Sequence, residues 1–180
     1  MPVPSNARRS EDAPALRALL KDAEPFAVIT SLRTLEQLNA LTPPDVQPFL
    51  SHPEAAVRVH ALQLADRWFA TREGSALLDA ALIAAATETN ARVQIQFALS
   101  LGEARDPRAF ATLASYAQEK LAVRWMDAAV LSSLHGRGGE MLATLLREPG
   151  GAAPLLATLA QSIAARRDDA ELAAALKLIA

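Results

Sequence analysis

Val57-Arg58-Val59-His60-Ala61-Leu62-Gln63-Leu64-Ala65 returns in altered form as Val93-Gln94-Ile95-Gln96-Phe97-Ala98-Leu99-Ser100-Leu101, and again as Val123-Arg124-Trp125-Met126-Asp127-Ala128-Ala129-Val130-Leu131. The anchoring valines stand 36 and 30 positions apart, a spacing typical of helical hairpins stacked in an array. Each copy keeps apolar residues at helical steps. Val57, Ala61, Leu64, Ala65 and Trp68 form the stripe in the first copy, and Val93, Phe97 and Leu101 repeat it in the second. Val123, Met126, Val130 and Leu134 follow it more loosely, as do Val28, Leu32 and Leu35 further upstream. Such a wide apolar face needs neighbours on two sides, which stacked hairpins supply and a lone hairpin does not. The pattern predicts an all-α solenoid.

Composition agrees with a helical chain. Hydrophobic residues make up 51% of the sequence, mostly Ala and Leu, and aromatic residues only 4%, a balance that favours helices over strands. Eighteen basic residues against 20 acidic ones leave a net charge of −2, so no global field draws the chain to phosphate backbones or anionic membranes. Nucleic acid is not an expected partner. The absence of cysteine excludes disulfides, thiolate metal sites, a thiol nucleophile and covalent haem attachment. No cofactor is expected. The N-terminal stretch from Met1 to Arg9 lacks the apolar core of a secretory signal, and no run approaches the roughly 20 apolar residues that span a bilayer. The chain is expected to be soluble, without membrane insertion and without a signal segment.

Residues 1–11 are polar and contain prolines, and read as a linker or frayed end. Residues 12–180 read as a single domain. Helices are expected at about 13–22, 25–40, 44–50, 53–70, 75–87, 91–103, 107–118, 121–135, 138–147, 152–165 and 169–179, roughly five pairs. Thr42 with Asp45, Ser51 with Glu54, and Asp168 with Glu171 have the spacing of capping boxes. Pro43, Pro53 and Pro107 sit where a helix's first turn tolerates a missing N–H. The final segment, Asp169 to Ala180, closes on apolar residues, whereas solenoid ends normally carry a polar outer face. That end is expected to meet a partner, meet a second copy, or continue into a longer chain.

The run His52-Pro53-Glu54-Ala55-Ala56-Val57-Arg58 resembles the start of the second helix in HEAT-type repeats, and Phe97-Ala98-Leu99-Ser100-Leu101-Gly102-Glu103 resembles its continuation. Residues 24–147 more narrowly resemble the HEAT segment of large exported planctomycete-type proteins. Those proteins combine a sugar-dehydrogenase-like propeller, HEAT repeats and a c-type cytochrome domain. The resemblance implies a right-handed α-solenoid of about five HEAT-like hairpins acting as a spacer or docking module in an electron-transfer protein, and a periplasmic location if the chain is a fragment of one. It carries over only the scaffold, because the sequence lacks a propeller and a haem-attachment motif.

The polar residues offer little convergent chemistry. His52 and His60 are eight apart with a proline-marked helix start between them, and His135 ends another helix, so a helical metal site is not expected. Surface or turn roles are. Asp66, Asp79, Glu103 and Asp127 fall on different helices and read as solvated faces or inter-repeat ion pairs. Arg58, Gln94 and Arg124 occupy matching places and read as a rung between repeats. The glycine-containing loops at 135–140 and 149–152 follow no strand and read as turns. Trp68 and Trp125 read as core residues.

These features lead to a non-catalytic protein-interaction or scaffold module. It is expected to position a partner protein or neighbouring domain on the inner helices, through Arg58, His60, Arg67, Gln96, Glu103 and Arg124. The alternative is a helical-repeat enzyme or ligand-processing module, lyase-like or DNA-base-excision-like. Self-association through the apolar C-terminal helix is a further expectation.

Overall fold

The structure is a computed structural model that describes residues 12–21, 24–147 and 152–166, together with two helical positions, Ala173 and Lys177. Among these residues it is all-helical, with ten α-helices, one 3-10 helix and no strand. The chain divides into two compact units, Met1–Val93 and Gln94–Ala180.

In the first unit, α1 (Ala13–Leu19) is followed by α2 (Pro25–Gln37) and by a short α3 (Pro43–Val46) that passes into the 3-10 helix Gln47–Ser51. Then come α4 (Ala55–Phe69) and α5 (Ser75–Thr87). Pro25 and Pro43 each occupy the first helical position, where the ring removes an amide that would have no helical partner. The Asp45 carboxylate accepts hydrogen bonds from the Thr42 amide at 3.0 Å and the Thr42 hydroxyl at 2.8 Å. The expected Ser51–Glu54 box does not form. Ser51 closes the 3-10 helix, and α4 begins one residue after Glu54.

The core of this unit lies where α1 packs on α2, α2 on α4, and α4 on both the 3-10 helix and α5. Leu32, Leu35, Val46, Val57, Leu62 and Leu77 are fully enclosed. Each such aliphatic side chain contributes on the order of 1.5–3 kcal/mol through burial. The stripe on α4 corrects the sequence reading in one place. Leu62 is buried with Ala61 and Ala65, which centres the face so that Phe69 completes it. Trp68 is left half-buried at its edge, with the Arg67 guanidinium 5.5 Å from its ring.

Helix α6 (Ala91–Leu101) crosses the division, and the second unit continues with α7 (Pro107–Glu119), α8 (Met126–Ser132), α9 (Gly138–Arg147) and α10 (Ala153–Arg166). Asp106 caps α7 by accepting from the Arg108 amide at 2.8 Å. Here α7 packs on α8 and α9, and α9 on α10, enclosing Phe97, Leu113, Met126, Met141, Leu145 and Leu159. At the end of α6 a Cβ on Gly102 would lie 2.6 Å from the Ser133 carbonyl oxygen. Only a residue without a side chain allows that approach.

The largest departure from expectation concerns the helix placed at 121–135. It begins only at Met126, because Trp125 adopts φ 72° and ψ 6°, left-handed backbone that cannot continue a right-handed helix. The Val123 and Met126 amides instead close turns onto the carbonyls of Lys120 and Val123. Gly138 and Gly139, which fall both in the expected 135–140 turn and at the start of the expected 138–147 helix, are buried in the first turn of α9. The linker at 1–11, the capping pair Asp168–Glu171 and the loop glycines Gly150 and Gly151 lie outside the described residues, as does most of the terminal helix.

Candidate functional site

Helices α2 and α4 lie side by side and present a continuous polar ridge. Arg33 of α2 donates to Gln63 Oε1 at 2.5 Å and to His60 Nδ1 at 2.9 Å, both on α4. Glu36, one turn beyond Arg33, pairs with Arg33 at 3.3 Å and with Arg67 of α4 at 3.3 Å. Because a guanidinium only donates, the His60 Nδ1 must accept, which places the proton of the neutral ring on Nε2. Burial, together with the nearby Arg33 and Arg92 charges, holds His60 below its ordinary pKa and keeps it neutral at neutral pH. Arg33 and Arg67 both pair with Glu36, and the charge of Arg92, from the first turn of α6, reaches His60.

Arg58 lies at the start of α4 in a different setting. Its guanidinium holds the Glu88 carboxylate in a fork, with Nε to Oε2 at 2.7 Å and Nη2 to Oε1 at 3.0 Å. Its remaining edge donates to the carbonyls of His52 at 2.6 Å and Pro53 at 2.8 Å. Glu88 also accepts from the amides of Thr89 and Asn90, and the Asn90 side chain in turn accepts from the Arg92 amide in the first turn of α6. Burial alone would raise the Glu88 pKa, but the hydrogen bonds and charge of Arg58, with the two amides, outweigh it and hold the carboxyl below its ordinary value. With side-chain exposures of 15% and 6%, this pair is a clamp between segments rather than an open contact surface. A cleft of about 280 Å³ runs along it, between His52 and Thr87.

A similar clamp lies upstream. Arg17 of α1 forks onto Asp45 at 2.8 and 3.0 Å and donates to the Ala40 carbonyl at 2.6 Å. Burial raises the Asp45 pKa, and the bonds from Arg17 and Thr42 more than reverse the effect.

The remaining candidates belong to the second unit. Gln96 is half-buried and donates to the Ser100 hydroxyl at 3.0 Å. Glu103 is half-exposed, 3.8 Å from His135 Nε2. Arg124 is exposed in the turn before α8, 5.0 Å from the Trp125 ring. Gln94 is buried, so the three matching places Arg58, Gln94 and Arg124 lie in three different environments. The structure thus places His60 and Arg67 on one ridge and sets Arg58 apart in its clamp.

Sequence reasoning missed Arg33, Glu36, Arg92 and Glu88. A signal for them existed. The cross-helix pairs Arg17–Asp45, Arg33–Gln63, Arg58–Glu88 and Glu36–Arg67 span 28, 30, 30 and 31 residues, close to the interval between valines. Trp125, expected in the core, is 62% exposed. Among the described residues no three His, Cys, Asp or Glu side chains gather to hold a metal, and no helix is long and apolar enough to cross a membrane. Compared with protein families, curated proteins and solved structures, the chain has no significant match.

Proposed function

We propose that this chain is a non-catalytic, HEAT-like scaffold whose hairpins laminate into a right-handed α-solenoid. It holds a partner protein or neighbouring domain against the α2–α4 ridge. The lamination is supported by packing between alternate helices, α2 on α4 and α3 on α5 in the first unit and α7 on α9 in the second. Polar cross-links spaced by about one hairpin point the same way. The observation that carries the functional reading is the ridge itself, where Arg33 and Arg67 both pair with Glu36 and the charge of Arg92 reaches His60, in a chain whose net charge is −2. A local excess of one sign guides a partner of the opposite sign and fixes its register. An acidic segment of a partner protein is the complement.

Truncating the exposed side of the array tests this. The partner is captured with the intact chain, purified, and titrated against a variant carrying alanine at Arg33, His60 and Arg67. Affinity is expected to fall roughly tenfold or more, with the melting temperature little changed. Unchanged affinity would remove the ridge from consideration.

A further inference from the structure

Among the described residues of the second unit, Trp125 is the most exposed large apolar side chain. Its backbone is held at φ 72°, a region bulky side chains rarely occupy, and its indole is 62% exposed. Neighbouring bonds enforce this geometry: the Met126 amide donates to the Val123 carbonyl at 3.0 Å, and the Ala129 amide to the Trp125 carbonyl at 2.9 Å. The enclosed Met126 side chain anchors the turn. The ring borders a cleft of about 210 Å³ whose walls are Leu121 and Val123 on one side and Pro154 and Leu155 at the start of α10 on the other. Arg124 and Asp127 supply its charges. Among the described residues Arg124 meets no carboxylate within ion-pair distance. Its guanidinium rests on the indole.

We propose that this cleft is a peptide-binding site. It seats one apolar side chain of an extended segment against Trp125, while an adjacent carboxylate of the same segment pairs with Arg124. The volume falls short of the roughly 300 Å³ at which small-molecule pockets begin, so a single side chain of a larger partner suits it better than a whole cofactor. The charges select the partner's class. A carboxylate next to an apolar residue answers Arg124 and the aliphatic walls together, and a backbone N–H answers Asp127. A nucleic-acid strand would bring phosphate toward Asp127, and a neutral sugar would leave Arg124 without a counter-charge. A rigid aromatic at the rim is the residue type that dominates such contacts.

The test selects displayed short random peptides on the intact chain, with Trp125→Ala as counter-selection. Recovered peptides are expected to carry Asp or Glu next to Leu, Ile, Phe or Met. Synthetic versions should bind Trp125→Ala roughly tenfold or more weakly. In a Trp68→Phe background, peptide addition should shift the emission of Trp125 to shorter wavelength. Trp125→Gly, which accepts the left-handed backbone, should melt no lower than the parent while losing the peptide. Arg124→Ala alters an exposed side chain and should weaken binding severalfold with the fold intact. Failure to enrich peptides over the counter-selection, enrichment of basic peptides, Trp125-dependent binding of a single-stranded oligonucleotide, or unchanged peptide affinity in Arg124→Ala would each overturn the proposal.

Discussion

The two units tie their helices together by different means. In the first, Arg17 with Asp45 and Arg58 with Glu88 are forked pairs spanning 28 and 30 residues, each arginine also gripping backbone carbonyls. In the second, Asp106 pairs with Arg108 and Arg137 with Glu140, neighbours two and three residues apart. Polar contacts between separate helix ends there are longer: Glu103 with His135 at 3.8 Å, His135 Nδ1 with the Gly102 carbonyl at 3.3 Å, and the Ser133 hydroxyl donating to the Leu99 carbonyl at 3.5 Å. Local pairs organise a helix turn but hold no two helices together. The second unit relies instead on apolar packing, on the Arg137 guanidinium 3.9 Å from the Phe110 ring, and on the close approach of Gly102 to Ser133. The forked carboxylates that join helices, and so couple cohesion to proton concentration, thus lie in the first unit, whereas in the second the Asp106 carboxyl, also held below its ordinary pKa, serves its own helix start.

Acid should separate the two most strongly. The folded-state pKa values of Asp45 and Glu88 lie below their ordinary 3.8 and 4.5, so these groups contribute stability in full above the unfolded values and lose it as pH falls through the folded ones. His60, lowered from 6.5, acts in the same sense at higher pH: the unfolded chain takes up its proton first, and stability begins to fall below about pH 6.5. Amide hydrogen exchange between pH 7 and 3, corrected for intrinsic rates, should show protection lost from α1–α5 before α7–α10. Simultaneous loss would erase the contrast.

Glu88→Ala should follow in size. It leaves the Arg58 guanidinium without its carboxylate and should cost about 3 kcal/mol in urea unfolding. Gly102→Ala is the matching lesion in the second unit. The new methyl meets a backbone oxygen that cannot rotate away, at a cost of about 1–3 kcal/mol, with exchange accelerated in α6–α8. Arg137→Ala loses the ring contact with Phe110 and should cost about 0.5–1 kcal/mol. Glu140→Ala removes a pair whose carboxylate is 50% exposed and should change the midpoint by less than about 0.5 kcal/mol. An effect as large as that of Glu88→Ala would show that local pairs in the second unit carry more than their geometry suggests.

Much of the helical layout was legible because its signals are local. The predicted helices at 75–87 and 138–147 coincide with those observed, and Asp106-Pro107 marks the start of α7. The third valine-led copy misled for a reason that is not local. Val123, Met126, Val130 and Leu134 keep helical spacing, but the left-handed turn at Trp125 is imposed by packing around Met126, and no glycine or asparagine announces it. Arg58 was read as an inter-repeat group, yet its acceptor went unseen. The carboxylate comes from the loop after α5, a place with no counterpart in the repeated motif. The ridge was half visible. His60 and Arg67 follow from the stripe opposite the core, whereas Arg33, Glu36 and Arg92 enter only when neighbouring helices are set side by side.

The Arg58 fork also restricts how this part of the gene can change in length. It grips carbonyls before α4 and a carboxylate after α5, so the two helices between are measured in whole residues. Each codon inserted or deleted within either helix would turn its far end by about 100° and swing Glu88 away from its anchor. Substitutions on the outer faces leave that gauge untouched, so helix length rather than surface identity is the property that descendants of this sequence must preserve.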